Sequence, residues 1–99
     1  MAFKLVVEPE AQKEIDKAFD YYKSVTDDIN VIINLFNDIE NAYNALKANP
    51  FFQVRSKQYR ALPLKKYPYL IFFEVHEKER IVKILSFFNT PQDHKKWIK

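Results

Sequence analysis

The sequence contains no cysteine and no glycine among its 99 residues. Without cysteine there is no disulfide and no thiolate metal site, and we expect a reducing, cytoplasmic compartment. Without glycine the chain cannot build a phosphate-binding loop, a dinucleotide-binding turn or an EF-hand loop, because each requires glycine backbone geometry. His76 and His94 lie too far apart for a zinc motif. We therefore expect neither a metal nor a cofactor.

Long hydrophobic runs are also absent. Every apolar run is far shorter than the ~20 residues that span a membrane, and Glu8 and Glu10 follow the N-terminus too soon for a signal peptide. The composition is nevertheless 47% hydrophobic and 16% aromatic, which is enough material for a packed core. The sequence thus predicts one folded domain, residues 1–99, without membrane attachment.

Acidic residues are missing from one long stretch of the chain. Residues 1–40 carry four lysines and nine acids, whereas residues 41–99 carry twelve basic residues and four acids, so the two parts have net charges of −5 and +8. No acid lies between Glu40 and Glu74, but six basic residues do: Lys47, Arg55, Lys57, Arg60, Lys65 and Lys66. A regional imbalance of this kind favours an anionic partner over a merely solvated surface.

A strand and two helices are predicted in the first half of the chain. Alternation around Phe3, Leu5 and Val7 predicts a half-buried strand over residues 2–8. Pro9 suits the first position of a helix, and Thr26, Asp27 or Asp28 can cap a second one that ends at Asn49-Pro50. Six apolar residues of the second helix recur at steps of three and four, and we interpret them as core packing against the first, antiparallel helix: Ile29, Ile32, Phe36, Ile39, Tyr43 and Leu46.

Three strands are predicted in the second half. Residues 58–66 predict a strand with Tyr59, Ala61 and Leu64 facing inward, made irregular or placed near an edge by Pro63. Residues 69–76 hardly alternate, which is typical of a strand buried on both faces. A polar turn at 77–79 joins them to a strand over 80–88, so these last two strands form an antiparallel hairpin. The predicted fold is α+β, β-α-α-β-β-β, with a helix hairpin on one face of a small, mainly antiparallel sheet.

At this level the chain resembles the RelE/ParE superfamily of bacterial toxins. The resemblance is almost end to end, and its matching residues are Pro9, Ala11, Tyr21-Tyr22, Asn49-Pro50, Arg60-x-Leu62, Tyr67-Pro68-Tyr69-x-Ile71-x-Phe73, Ile81, Ile84 and the tail FNTPQDHKKW. It implies the toxin of a type II toxin–antitoxin system, neutralised by a protein antitoxin from an adjacent gene, in a homodimer or a toxin–antitoxin hetero-oligomer.

The resemblance leaves the target open. Some members cut messenger RNA on the ribosome without a metal, and others poison DNA gyrase. Asn89 stands where the family often has His, and Gln92 where it often has Arg. A nuclease, a gyrase poison and a catalytically inactive, toxin-like binding module therefore all remain open.

Arg60 is the leading candidate for catalysis, with Lys57 second, because a cation aimed from a strand can stabilise a scissile phosphate. A salt bridge to Glu74 is the alternative role for Arg60. The candidates for binding nucleic acid or another target are Arg55, Lys57, Arg60, Lys65 and Gln92. Lys65 and Lys66 are also suited to protecting an edge strand from pairing with another chain. We predict this basic cluster on the sheet face or rim opposite the helices, and an antitoxin segment on exposed apolar surface.

Overall fold

The computed structural model describes residues 2–51, 54–56 and 59–89. Two helices follow the first strand, and four strands follow the helices: β1 (Lys4–Val7), α1 (Pro9–Val25), α2 (Ile29–Ala48), β2 (Val54–Ser56), β3 (Tyr59–Pro63), β4 (Tyr69–His76) and β5 (Ile81–Asn89). The predicted α+β arrangement is confirmed. Sequence reasoning missed β2, a three-residue strand too short to show alternation.

The sheet has the strand order β1-β5-β4-β3-β2. β1 pairs with β5 in parallel, and the other three pairs are antiparallel, so the expected mainly antiparallel sheet is confirmed. Pro63 is the last residue of β3, which lies between β2 and β4 and is not an edge strand. Proline is tolerated there because it ends the ladder and lets the chain turn toward β4.

The helix boundaries follow from local chemistry. Pro9 occupies the first turn of α1, where its missing N–H costs nothing. The Asp28 carboxylate accepts a hydrogen bond of 2.9 Å from the N–H of Asn30 and caps α2. α2 ends at Ala48. The next residue is Asn49, whose N–H still donates to the carbonyl of Ala45 before Pro50 prevents continuation. Both expected helices are confirmed.

The buried face of α2 differs from the predicted stripe. Leu35 is fully buried, whereas its neighbour Phe36 is 53% exposed and Ile29 is 63% exposed. The residues that α2 buries are Leu35, Asp38, Ile39, Ala42 and Leu46. The stripe that begins at Ile29 was therefore only partly right, because α2 packs on the sheet as well as on α1 and is rotated so that Leu35 points inward.

The core lies between the helices and one face of the sheet. Ile71 and Phe73 of β4 and Val82 and Ile84 of β5 are fully buried there. The opposite face carries a smaller cluster of Ala61, Leu70 and Phe88, with Phe72 packed against it. Adjacent residues of a strand point to opposite faces, so Phe73 lies in the main core and Phe72 does not. β4 is apolar on both faces only in its first half.

Candidate functional site

Arg60 points toward the helix-covered side of the sheet. It lies directly opposite Phe73 of β4, and directly opposed residues share a face. Its guanidinium carbon is 5.3 Å from the centre of the Phe51 ring, a cation–π distance. Glu74 lies opposite Tyr59 instead, on the other face. The prediction that Arg60 belongs to a basic cluster facing away from the helices is therefore wrong.

The other candidate residues are only partly described. Lys65 is exposed in the loop between β3 and β4, as is Lys66. Arg55 lies within β2, next to Val54, which pairs with Arg60. Lys57 and Gln92 lie outside the described residues. Their assignment to catalysis or target binding stays a prediction.

Asn89 ends β5, opposite Tyr69. Its side-chain oxygen is buried and has no hydrogen-bond partner among residues 2–51, 54–56 and 59–89. The Tyr69 ring stacks on Phe87 with centroids 4.6 Å apart, and Tyr22 packs edge-on against Tyr67 at 5.3 Å. Burial is the main cause that raises the pKa of Tyr22 to about 12. An amide and a neutral tyrosine supply neither a base nor a cation near pH 7.

The face opposite the helices carries a polar row across three strands. Glu74 lies between Tyr59 of β3 and Lys83 of β5, and Nε2 of His76 is 2.9 Å from its Oε1. The His76 and Glu74 side chains are 38% and 17% exposed. Within the described residues, no group of three His, Cys, Asp or Glu side chains could hold a metal ion.

Asp38 holds the loop between β3 and β4 against α2. It is the one buried charged residue of the described core, at 4% exposure. Its carboxylate accepts three backbone N–H groups, from Lys65 at 3.2 Å, Lys66 at 2.8 Å and Tyr67 at 3.0 Å. The Tyr67 hydroxyl donates to the carbonyl of Val31 at 2.7 Å. Sequence reasoning missed this tether, although an acid beside the buried Ile39 was a visible signal.

A cavity of about 340 Å³ lies beside this tether. It is lined by Asn34, Asn37, Asp38, Asn41 and Lys66. The lining is polar throughout, and its three asparagines recur along α2 at steps of three and four. This spacing is visible in the sequence, but sequence reasoning did not predict a site from it.

The described surface also carries an apolar patch where α1 ends and α2 begins. Most of the large apolar side chains exposed in the described chain lie in these two helix ends, and we call them the apolar tip: Tyr21 (55% exposed), Val25 (57%), Ile29 (63%), Ile33 (47%) and Phe36 (53%). Exposed apolar residues gathered in this way mark interaction surfaces. The predicted exposed apolar surface is thus located.

In the described part of the chain, neither helix has the length and apolarity to cross a membrane.

The family is established by comparison with known proteins. Residues 5–94 match the model of the ParE toxin of type II toxin–antitoxin systems. No curated protein matches the sequence.

Solved structures share the fold. A chain of the chromosomal ParDE toxin–antitoxin system from P. aeruginosa is 21% identical, with a TM-score of 0.70 over 87% of this chain and 94% of that one. A free mutant of the E. coli toxin RelE is 13% identical, with a TM-score of 0.66 over 95% and 90%. A chain of the RelBE2 toxin–antitoxin complex from Mycobacterium tuberculosis is 13% identical, with a TM-score of 0.61 over 88% and 96%.

The protein described here belongs to the ParE toxin family and is the toxin of a type II toxin–antitoxin system, with a protein antitoxin as its partner.

Proposed function

We propose that this member of the ParE toxin family acts on DNA gyrase in the cytoplasm and does not cut messenger RNA. The family match favours the branch of the RelE/ParE superfamily that poisons gyrase. The observation that carries the proposal is the position of Arg60, the leading candidate for nuclease chemistry. It lies on the helix-covered side of the sheet, over the Phe51 ring.

A nuclease needs preorganised charge aimed at the scissile phosphate. Arg60 is instead half-buried between β2 and β4 and packs on an aromatic ring. Asn89, where the superfamily often has a histidine, carries no charge and does not titrate. A gyrase poison requires no such site, so the geometry of both residues agrees with the proposed target.

The decisive experiment compares two purified targets. We expect the toxin to inhibit supercoiling by gyrase, and to leave the translation of a reporter message by purified ribosomes intact. In cells, the same proposal predicts an early halt of thymidine incorporation while amino-acid incorporation continues. Cleavage of the message with gyrase unaffected would refute it. A folded toxin that affects neither target would indicate an inactive binding module.

Arg60→Ala sharpens this test. A nuclease that used Arg60 would lose activity by a factor on the order of 10²–10³. The gyrase proposal predicts that inhibition per folded molecule stays close to that of the wild type. The folded amount is measured by circular dichroism, because the substitution also removes the contact with Phe51.

We further propose that the antitoxin covers the apolar tip in a toxin–antitoxin hetero-oligomer. Tyr21, Val25 and Ile29 are each more than half exposed, which is unfavourable for a free surface and favourable once a partner covers it. An amphipathic segment can lay apolar anchors along such a surface. Because the chain is acidic up to Glu40, the segment that reaches the tip should carry basic residues at its edges.

Ile33→Asp tests this docking. A charge placed in a desolvated apolar contact should weaken antitoxin binding at least tenfold, measured by calorimetry with the product of the adjacent gene. Asn44→Asp is the matched control, since it adds the same charge to an exposed position of the same helix outside the tip. Equal affinity for both variants would exclude the tip from the interface.

A further inference from the structure

One face of α2 is a row of asparagines. Five of the seven asparagines of the chain lie there at steps of four, three, four and three, and all are exposed: Asn30, Asn34, Asn37, Asn41 and Asn44. This spacing aligns them along one side of the helix. Asparagine is a weaker helix former than the alanine, lysine or glutamate usual on exposed helices. The amide row is therefore unfavourable for the stability of the helix itself. Binding of a partner to the side-chain amides accounts for such a row.

The middle of the amide row opens onto the cavity of about 340 Å³. Asn34, Asn37 and Asn41 line one side, and Lys66 lies on the loop that Asp38 fixes in place. Within the described part of the chain, the three amides make no hydrogen bond and the Lys66 ammonium makes no ion pair. The Asp38 carboxylate also lines this space, where three backbone N–H groups already donate to it. Three donor–acceptor groups and one cation thus converge on a space large enough for a ligand.

The chemistry of this lining selects an extended peptide. Each asparagine amide presents a donor and an acceptor, which match the N–H and C=O groups of a main chain without a hydrogen-bonded partner. A helical segment satisfies those groups internally and offers none to the amides. The lining contains no aromatic ring on which a nucleobase could stack. Lys66 adds a preference for a carboxylate side chain.

We infer that Asn34, Asn37 and Asn41, together with Lys66, bind the main chain of an extended antitoxin segment that carries an acidic residue. Asn34 and Asn41 are about 10.5 Å apart along the helix axis, a distance that about three extended residues cover. Ile33 and Phe36 of the apolar tip directly precede Asn34 and Asn37 in α2, so the site continues the proposed docking surface on the same helix. The inference rests on the proposed antitoxin docking and is independent of the gyrase target.

The test replaces the three amides with alanine. The Asn34→Ala, Asn37→Ala, Asn41→Ala variant should bind the product of the adjacent gene at least tenfold more weakly in calorimetry. The melting temperature of the free toxin should rise, because alanine is the better helix former. The matched control is Asn30→Ala, Asn44→Ala, which alters the same row outside the cavity lining and should raise the melting temperature without changing the affinity. A merely structural role for the three amides would not weaken binding while the fold becomes more stable.

Lys66→Ala provides a second measurement. It should weaken binding and reduce the dependence of the affinity on salt, while Lys65→Ala, an exposed neighbour that does not line the cavity, should leave both unchanged. Unchanged affinity in the triple variant overturns the inference. So does a triple variant that keeps the antitoxin affinity and loses gyrase inhibition, since the face would then serve the target. A wild-type toxin that does not bind the gene product overturns the inference together with the antitoxin docking, but not the gyrase proposal.

Discussion

The two faces of the sheet are filled differently, although the same strands supply both. On the helix-covered face, Ile71, Phe73, Val82 and Ile84 are fully buried beneath α1 and α2. On the opposite face, the apolar cluster of Ala61, Leu70 and Phe88 is small. Beyond it lie Tyr59, Glu74, His76 and Lys83, which are only partly buried. One face therefore provides the main core, and the other becomes polar toward the β4–β5 turn.

This difference shows that, in a small toxin, separate surfaces provide the stability of the fold and the recognition of partners. The helices that cover the first face bury one arc and present another, which carries the apolar tip and the amide row. Burial of apolar area dominates stability, so substitutions beneath the helices should affect folding first. Substitutions on the outer arc of α2 should affect partners first. The following predictions compare the helix-covered side of the sheet, including the helices, with the opposite face.

The largest effect is expected between two neighbours in β4. Phe73→Ala should lower the free energy of unfolding by about 3–5 kcal/mol, because it empties a fully buried position beneath the helices. Phe72→Ala, on the opposite face and partly exposed, should cost about 2 kcal/mol. Urea denaturation measures both. Equal losses would mean that the two faces contribute equally to the core.

A smaller effect is expected when a carboxylate becomes an amide. Asp38→Asn removes the charge that three backbone N–H groups share and replaces one acceptor with a donor, at a cost of about 2–3 kcal/mol. Glu74→Gln makes the same change on the opposite face of the sheet, where the contact with Nε2 of His76 is partly exposed, and should cost less than about 1 kcal/mol. Thermal unfolding of the two variants gives the comparison. A larger loss for Glu74→Gln would contradict it.

The smallest effect on folding stability is expected only at alkaline pH. Burial, with a smaller contribution from the Glu40 carboxylate, raises the pKa of Tyr43 to about 12 from the ordinary 10.0. As the pH rises from about 10 to about 12, the unfolded chain releases this proton first. It then binds fewer protons than the folded chain, so stability falls over that window. Tyr43→Phe should flatten the fall, whereas Tyr59→Phe on the opposite face serves as the control. An unchanged alkaline profile in Tyr43→Phe would count against the raised pKa.

Much of the fold was predictable because local chemistry determines it. Pro9 and Asp28 begin their helices for reasons that need no tertiary contact. The short polar link after residue 76 requires a hairpin between β4 and β5. The candidate site was less predictable. Arg60 was chosen for its residue type and its strand, but its direction depends on the register with Phe73.

The sequence by itself determined the order of every element except β2, the two-layer arrangement, the family resemblance and the charge imbalance between residues 1–40 and 41–99. Tertiary structure alone decided whether Phe72 or Phe73 meets the helices, and whether Leu35 or Phe36 is the buried residue of α2. It also decided that Asp38 reaches across to the N–H groups of residues 65–67. The physical reason is that periodicity fixes the spacing of side chains but not their rotation or register. A shift of one residue turns every side chain of a strand to the other face, and only contacts between elements distant in sequence select one alternative.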